Sequence, residues 1–256
     1  GMPSVSPSTR PPDSVLGRVM ALLSAFDADT PVLSLAELSR RCGLPKPTVH
    51  RMVAELCEQR LLRRDEAGRY LLGLRLFELG ELVPQQRTLR EAALPLMEDL
   101  REATRCRIHL SVLDGIDVVY VEILGTADAG VPSRPGGRLP AHTTGVGKAI
   151  LAYSTPEVIR ARIDAGLTPL TARTISTEDA FLAELRKIRT VGMALDLEEN
   201  TPGIFCVAAP VFGADRRIRA SLSVTGRSEQ LDPAAVGPAV RTAAFTLTRA
   251  LRAHGL

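Results

Sequence analysis

The chain lacks most of what would mark a membrane protein, a secreted protein or a familiar enzyme. In 256 residues there is no run of about twenty apolar residues, the length a transmembrane helix needs. The N-terminus carries no charged-then-apolar leader pattern. Cysteine is scarce. Cys42, Cys57, Cys106 and Cys206 stand far apart, form no C-x-x-C pair, and read as reduced thiols of a cytoplasmic protein. Histidine is equally sparse: His50, His109, His142 and His254 make no H-x-x-x-H pair, so neither a metal site nor a cofactor is expected. No G-x-S-x-G elbow is present, which disfavours a hydrolase of that type. The segment TTGVGKAI, Thr143 to Ile150, misses the P-loop spacing, because His142 stands five residues before Gly147 where a Gly is required. It also misses the dinucleotide fingerprint, with Ile150 in place of the third Gly. What remains there is a tight turn into a helix. Its first backbone N–H groups would suit a carboxylate.

What the chain does have is a composition, 45% hydrophobic and 24% charged, suited to one large or two ordinary globular domains. Its charge is uneven. Between Arg40 and Arg75 there are nine Lys or Arg against four acids, a balance of +5, whereas the whole chain carries only +3. A local basic surplus on a near-neutral protein is an electrostatic footprint for phosphates.

That surplus coincides with a pattern. Ser34 and Glu37 form an S-x-x-E capping box, which starts a helix at Leu35 with Leu35, Ala36 and Leu38 inward. Gly43 supplies the left-handed residue that ends it. Pro45 and Pro47 suit the first turn of the next helix. Val49, Met52, Val53, Leu56 and Cys57 recur at three- and four-residue steps and form its buried stripe. Lys46, Thr48, His50 and Arg51 fall off that stripe. A short hairpin follows, from Leu61 to Leu72, with Arg63, Arg64 and Arg69 around its tip. Helix, turn, helix and basic hairpin is the order of a winged helix-turn-helix, which lays its second helix in the DNA major groove.

Organisation along the chain follows from punctuation and periodicity. Residues 1–12, rich in Pro, Ser and Thr, are expected to be disordered. A helix from Ser14 to Phe26 would pack beneath the helix-turn-helix, so that residues 13–72 form one domain. Residues 73–88 read as a linker helix ended by Pro84 and a polar joint. From 89 to 256 a second domain begins with a helix to Thr104 that Pro95 should kink or restart. Strand-like stretches lie at 108–113, 118–123, 193–197, 204–212 and 220–225. The first two are joined by the Asp114-Gly115 turn, and helices intervene among the others. The expected class is α+β with two domains and a largely antiparallel sheet in the second.

The blocks LPKPTVHRMVAEL, HLSVLDGIDVVYVE, GGRLPAHTTGVGKAILA and EENTPGIFCVAAPVF together resemble the IclR family of bacterial transcriptional regulators, over nearly all of Ser14 to Thr225. The resemblance implies an N-terminal winged helix-turn-helix, a linker helix and a C-terminal GAF-like effector-binding domain. It implies dimers or tetramers that bind palindromic double-stranded DNA operators under control of a small effector, often a carboxylate or an aromatic acid. Polar effector contacts would come from Gly145, Val146, Asp196, Cys206, Ser223 and Thr225. Val131, Leu139 and Ile204 would form an apolar wall. An acidic Asp196 beside an anionic ligand is awkward unless it meets an amine, a hydroxyl or a bridging water. For DNA the expected contacts are Lys46, Thr48, His50 and Arg51 on the recognition helix. Thr48 and Arg51 would read bases, Lys46 would meet phosphate, and Arg63, Arg64 and Arg69 on the wing would hold phosphates or enter the minor groove. Two other readings compete. One is an enzyme using Cys206 and Asp196, which has no paired base in any known motif. The other is a ligand-binding module without operator binding.

Overall fold

The chain divides between Pro84 and Gln85 into two units. The computed structural model describes residues 12–126 and 130–256, so the expected disordered tail lies outside the described residues but for Pro12.

In the first unit, α1 (Val15–Leu23) starts where the Ser14 hydroxyl accepts from the Gly17 N–H. Helix α2 (Leu35–Cys42) opens with the full capping box: Ser34 Oγ accepts from Glu37 N, and the Glu37 carboxylate accepts from Ser34 N at 2.8 Å. Gly43 closes it at φ 72°, backbone that a side chain would strain. Helix α3 (Lys46–Glu58) begins with proline in its first turn. The wing is a two-stranded antiparallel hairpin, β1 (Leu62–Arg64) and β2 (Tyr70–Leu72), and Leu33 bridges to Tyr70 through two backbone hydrogen bonds. Helix α4 (Leu74–Gly80) follows. Leu22, Leu33, Leu38, Val49, Val53 and Leu62 form the centre of the core.

Three expectations need correction here. Ala36 is exposed; the inward face of α2 is Leu38 and Cys42, one helical turn apart, with Leu35 half-buried. Of the apolar residues expected to bury α1, Val15, Leu16 and Met20 are 75, 72 and 53% exposed, because α1 packs on the core through Leu22, with Val19, Ala21 and Leu23 half-buried beside it, and through Phe26 beyond its end. The stretch 73–88 is not one helix. Gln85 adopts left-handed backbone at φ 69°, which separates α4 from the next helix.

The second unit starts with α5 (Gln86–Thr104), which takes in most of the expected joint and runs through Pro95 without restarting. Then come β3 (Arg107–Asp114), β4 (Asp117–Leu124), β5 (Arg138–Pro140), a 3₁₀ turn at 141–143 and α6 (Gly145–Leu151). They are followed by α7 (Pro156–Asp164), α8 (Glu178–Val191), β6 (Ala194–Leu197), β7 (Ile204–Phe212), β8 (Ile218–Arg227) and α9 (Pro233–Ala253). Strands β3 to β8 form one antiparallel sheet in the order β5-β4-β3-β8-β7-β6. Both sheet faces are covered, which is why β7 reads IFCVAAPVF without polar alternation. Val207, Ala209 and Val211 join Leu222, Val224 and Ile108 against α5 and α9. The alternate residues, Cys206 and Ala208, face α6 and α8 on the other side. That second face holds the candidate ligand site.

Candidate functional site

The first unit presents α3 and the wing. Lys46, His50 and Arg51 are exposed and Thr48 is half-buried at the edge of the same face. None of the four side chains is held by a hydrogen bond or an ion pair among the described residues. The wing arginines differ from one another. Arg69 is tied to Asp65, its Nε 3.1 Å from Oδ2, and the Arg69 N–H that Asp65 also accepts holds that carboxyl below its usual range. Arg64 folds back, donating to the Gly68 carbonyl at 3.3 Å with its guanidinium 5.8 Å over the Tyr70 ring. Arg63 is exposed, and its side chain has no partner among the described residues.

In the second unit the strand register assembles a site from residues distant in sequence. Asp196 pairs with Cys206 and Cys206 with Thr225; one step along, Ala208 pairs with Ser223 and Ser223 with His109. Cross-strand partners point to the same face, so Asp196, Cys206, Thr225, Ser223 and His109 run obliquely over four adjacent strands. Above them lies the start of α6. Two glycines make this approach possible. A Cβ on Gly145 would sit 2.9 Å from Cys206 Sγ, and one on Gly147 would sit 2.1 Å from the Ala141 carbonyl oxygen. The TTGVG segment is thus a close-packed turn, with Thr144 Oγ1 accepting from the Gly147 N–H.

All nine expected effector residues line one cavity: Val131, Leu139, Gly145, Val146, Asp196, Ile204, Cys206, Ser223 and Thr225. Its walls also include residues the sequence reading missed, namely His109, Tyr120, Pro132, Ser133, Thr144, Asn200 and Thr201. The free volume is only about 30 Å³, room for a water or two. A wider groove of about 890 Å³ between α7 and α8 is open to solvent, lined by none of the expected residues and by no buried polar side chain. The small cavity is therefore the better candidate.

The electrostatics are those of neutral donors. Asp196, 4% exposed, accepts the Glu199 N–H at 2.7 Å. Burial, reinforced by the nearby Glu199 carboxylate, pushes its pKa up to about 7. Cys206 is a thiol, pushed up to about 12 by burial and then by Asp196, and so is no nucleophile near neutral pH. His109 is brought down to about 3 by burial and stays an uncharged imidazole. Burial also keeps Tyr120 protonated. No Lys or Arg lines the cavity. Buried Lys148 lies behind it, held by Glu199 at 2.7 Å and the Leu195 carbonyl at 2.6 Å, with Glu184 at 3.8 Å. The carboxylate cluster Asp196, Glu198 and Glu199 is a fastened turn. Glu198 accepts from Gly203 N, and Thr171 and Thr174 donate to the carbonyls of Glu198 and Glu199. Among the described residues no group of three His, Cys, Asp or Glu is placed to hold a metal ion, and no helix is long and apolar enough to cross a membrane.

Comparison with known proteins agrees with both halves. Residues 15–66 match the IclR helix-turn-helix domain, and residues 82–249 match the bacterial transcriptional regulator IclR C-terminal domain. The chain is 32% identical to the HTH-type transcriptional regulator XynR of Escherichia coli (strain K12) over 240 residues, 91% of this chain and 95% of that protein. It is 29% identical over 216 residues to the transcriptional repressor IclR of the same organism, covering 82% of this chain and 79% of that protein. A solved IclR homolog from Microbacterium hydrocarbonoxydans, complexed with 4-hydroxybenzoate, superposes with a TM-score of 0.84 at 28% identity, covering 94% of this chain and all of that one. These relatives are named as regulators and not as enzymes. With a helix-turn-helix half and a ligand-binding half both matched, the chain belongs to the IclR family of bacterial transcriptional regulators.

Proposed function

We propose that this regulator binds a palindromic operator as a dimer or tetramer in the cytoplasm, and that a small aromatic or other organic carboxylate in the second unit sets its DNA affinity. The observation that supports this reading is the convergence of the nine residues implied by the family resemblance on one small cavity, among them a carboxyl that titrates near neutral pH. Protonated Asp196 removes the awkwardness of an acid next to an acid. It becomes an O–H donor to the ligand carboxylate, alongside the Ser223 and Thr225 hydroxyls. The solved relative with 4-hydroxybenzoate supports an aromatic acid as the class. Binding requires the cavity to open, since ligand sites usually hold roughly 300–1,000 Å³. The effector shifts the population of arrangements by favouring one of them, and the segment 73–88 with α4 is the transmitter.

On the DNA side, Arg51 and Thr48 read base edges while Lys46, His50 and the wing cations, Arg63 foremost, hold phosphate. Self-association is supported by the apolar surface of the first unit. Leu16 on α1 and Phe77 on α4 are 72 and 63% exposed, and two-fold symmetry supplies the second half-site that a palindrome requires.

The test is fluorescence anisotropy of the full chain on labelled DNA from upstream of its own gene, with and without a panel of aromatic and aliphatic carboxylates. A sequence-specific complex whose affinity changes at least about tenfold with one acid is expected, a typical allosteric coupling. Sequence-specific binding insensitive to every acid overturns the effector class. Absence of specific binding overturns the regulator reading.

A further inference from the structure

On the side of the sheet away from the pocket, the second unit is covered by α5 and α9. They pack side by side, α5 over β3 and β4 and α9 over β7 and β8. Their solvent faces carry opposite charge. Helix α9 has three arginines and no acid in its 21 residues. Arg241, Arg249 and Arg252 are exposed, at four- and three-residue steps around Phe245, which is 65% exposed. An aromatic ring standing in water among arginines has the composition of an interface centre. On α5 the outward stripe is Glu91, Pro95, Glu98 and Glu102, and Leu94 beside it is 37% exposed. Among the described residues no hydrogen bond or ion pair holds Arg241, Arg249, Arg252, Glu98 or Glu102. Glu91 meets Arg87 of its own helix at 2.9 Å, with both side chains well exposed.

The two stripes are matched in level. Arg107 at the start of β3 pairs with Thr225 near the end of β8. The end of α5 and the start of α9 therefore lie at the same edge of the sheet, and the two helices run antiparallel. From that edge, Glu98 lies six residues before Thr104 and Arg241 eight after Pro233. Glu91 lies thirteen before Thr104, and Arg249 sixteen after Pro233. At 1.5 Å per residue each pair agrees in level to within about 5 Å, which two long side chains span. Leu94 and Pro95 fall level with Phe245 by the same count.

A two-fold axis parallel to these helices, above the groove between them, lays α5 of one copy on α9 of another at unchanged level, and the reverse at the same time. Acid then meets arginine, and Phe245 meets Leu94 and Pro95. A two-fold axis across the helices would stack α9 on α9 instead, arginine stripe on arginine stripe.

We infer that the α5–α9 face is an isologous docking surface for a second copy of this chain, with Arg241 and Arg249 of each copy seated against the partner's Glu98 and the partner's Glu91 around Phe245. This surface is independent of the effector's class. It is also distinct from the apolar surface of the first unit, so a chain that uses both associates as a dimer of dimers.

Sedimentation velocity of the full chain without DNA tests this. Wild type at low salt should be a tetramer that falls to dimers at about 1 M salt, where the Debye length is only about 3 Å. Arg241→Glu with Arg249→Glu should give dimers at low salt, and so should Glu91→Arg with Glu98→Arg. Combining all four changes restores complementarity and should restore the tetramer, which a merely misfolded variant would not do. Phe245→Ser should raise the tetramer dissociation constant at least about tenfold, as loss of a buried aromatic anchor does. If wild type is instead a dimer that the reversed stripes split into monomers and the combined variant restores, the docking surface stands and self-association through the first unit falls. A mass unchanged by either reversed stripe, a combined variant that does not reassociate, or a monomeric wild type overturns the inference.

Discussion

The DNA-facing and ligand-facing halves are built on opposite principles. On α3, four candidate contacts lie within six residues, are open to solvent or nearly so, and have no side-chain partners among the described residues. In the pocket the contacts come from five elements and a loop, are buried or nearly so, and most of the polar side chains are already bonded to one another. An exposed, unpartnered cation is ready for a phosphate or a base at little conformational cost. A buried hydroxyl or carboxyl must exchange one partner for another. Its affinity therefore depends on protonation and on what must first move.

The comparison is best broken at the glycines. Gly147→Ala places a methyl against the Ala141 carbonyl carbon and oxygen, backbone that cannot yield. It should destabilise the second unit by on the order of 4 kcal/mol or more, read by chemical denaturation. Gly145→Ala meets the Cys206 sulfur at 2.9 Å, with the Ala208 and Asp196 Cβ atoms at an ordinary 3.6 Å. It should fold, keep operator binding and lose effector response, as anisotropy with and without ligand would show.

Next comes Arg51→Ala. It should weaken operator binding by about 1–3 kcal/mol, or roughly five- to 150-fold, with non-specific DNA little changed. Equal operator affinity for the two proteins would sink the base-reading assignment.

The pocket's protonation gives the third effect. A carboxylate effector needs Asp196 protonated, so its affinity is full below pH 7 and should fall about tenfold for each pH unit above it. Asp196→Asn carries a permanent N–H donor and should flatten that profile. The same residue affects stability with a definite sign. Its folded pKa is raised, so ionising it penalises the folded state, and stability is lost as pH rises from about 4 to about 7. Asp196→Asn should therefore be the more stable protein at pH 8, by on the order of 2–4 kcal/mol, measurable by thermal melts at pH 4 and pH 8. A smaller gain at pH 8 than at pH 4 would contradict the buried-carboxyl account.

The smallest effect separates the wing arginines. Arg63→Ala should weaken binding to all sequences and reduce the salt slope by about one. Arg69→Ala should do less, because Asp65 already engages Arg69. Equal slopes would show that the Asp65 pair opens on DNA.

Much of the first unit was legible because its signals are local. The capping box, Gly43 and the α3 stripe each depend on residues within a turn or two. The expectation failed where burial depends on a distant partner: α1 shows the apolar periodicity of a core helix, yet Val15 and Leu16 face outward. In the second unit the β7 run was legible to its exact ends, but β5 and the left-handed break at Gln85 were not.

The candidate pocket divides the same way. Gly145, Asp196, Cys206 and Ser223 were named from motifs. His109 was passed over as one of four scattered histidines, since only the Ser223 register brings it to the site. Asn200 and Thr201 stood unremarked inside EENTPG, and Ser133 has no motif at all.

By itself, then, the order of residues determined the helix-turn-helix, its basic face, and which strands carry small polar residues at a two-residue period. Those properties follow from local sterics, capping and charge, which act over a few residues. Only the tertiary structure decided which strands are neighbours and in what register. That choice buries Asp196 until it titrates near pH 7 and sets His109 at the far end of the same face. Cross-strand pairing and desolvation depend on residues a hundred positions apart, and no local pattern encodes them.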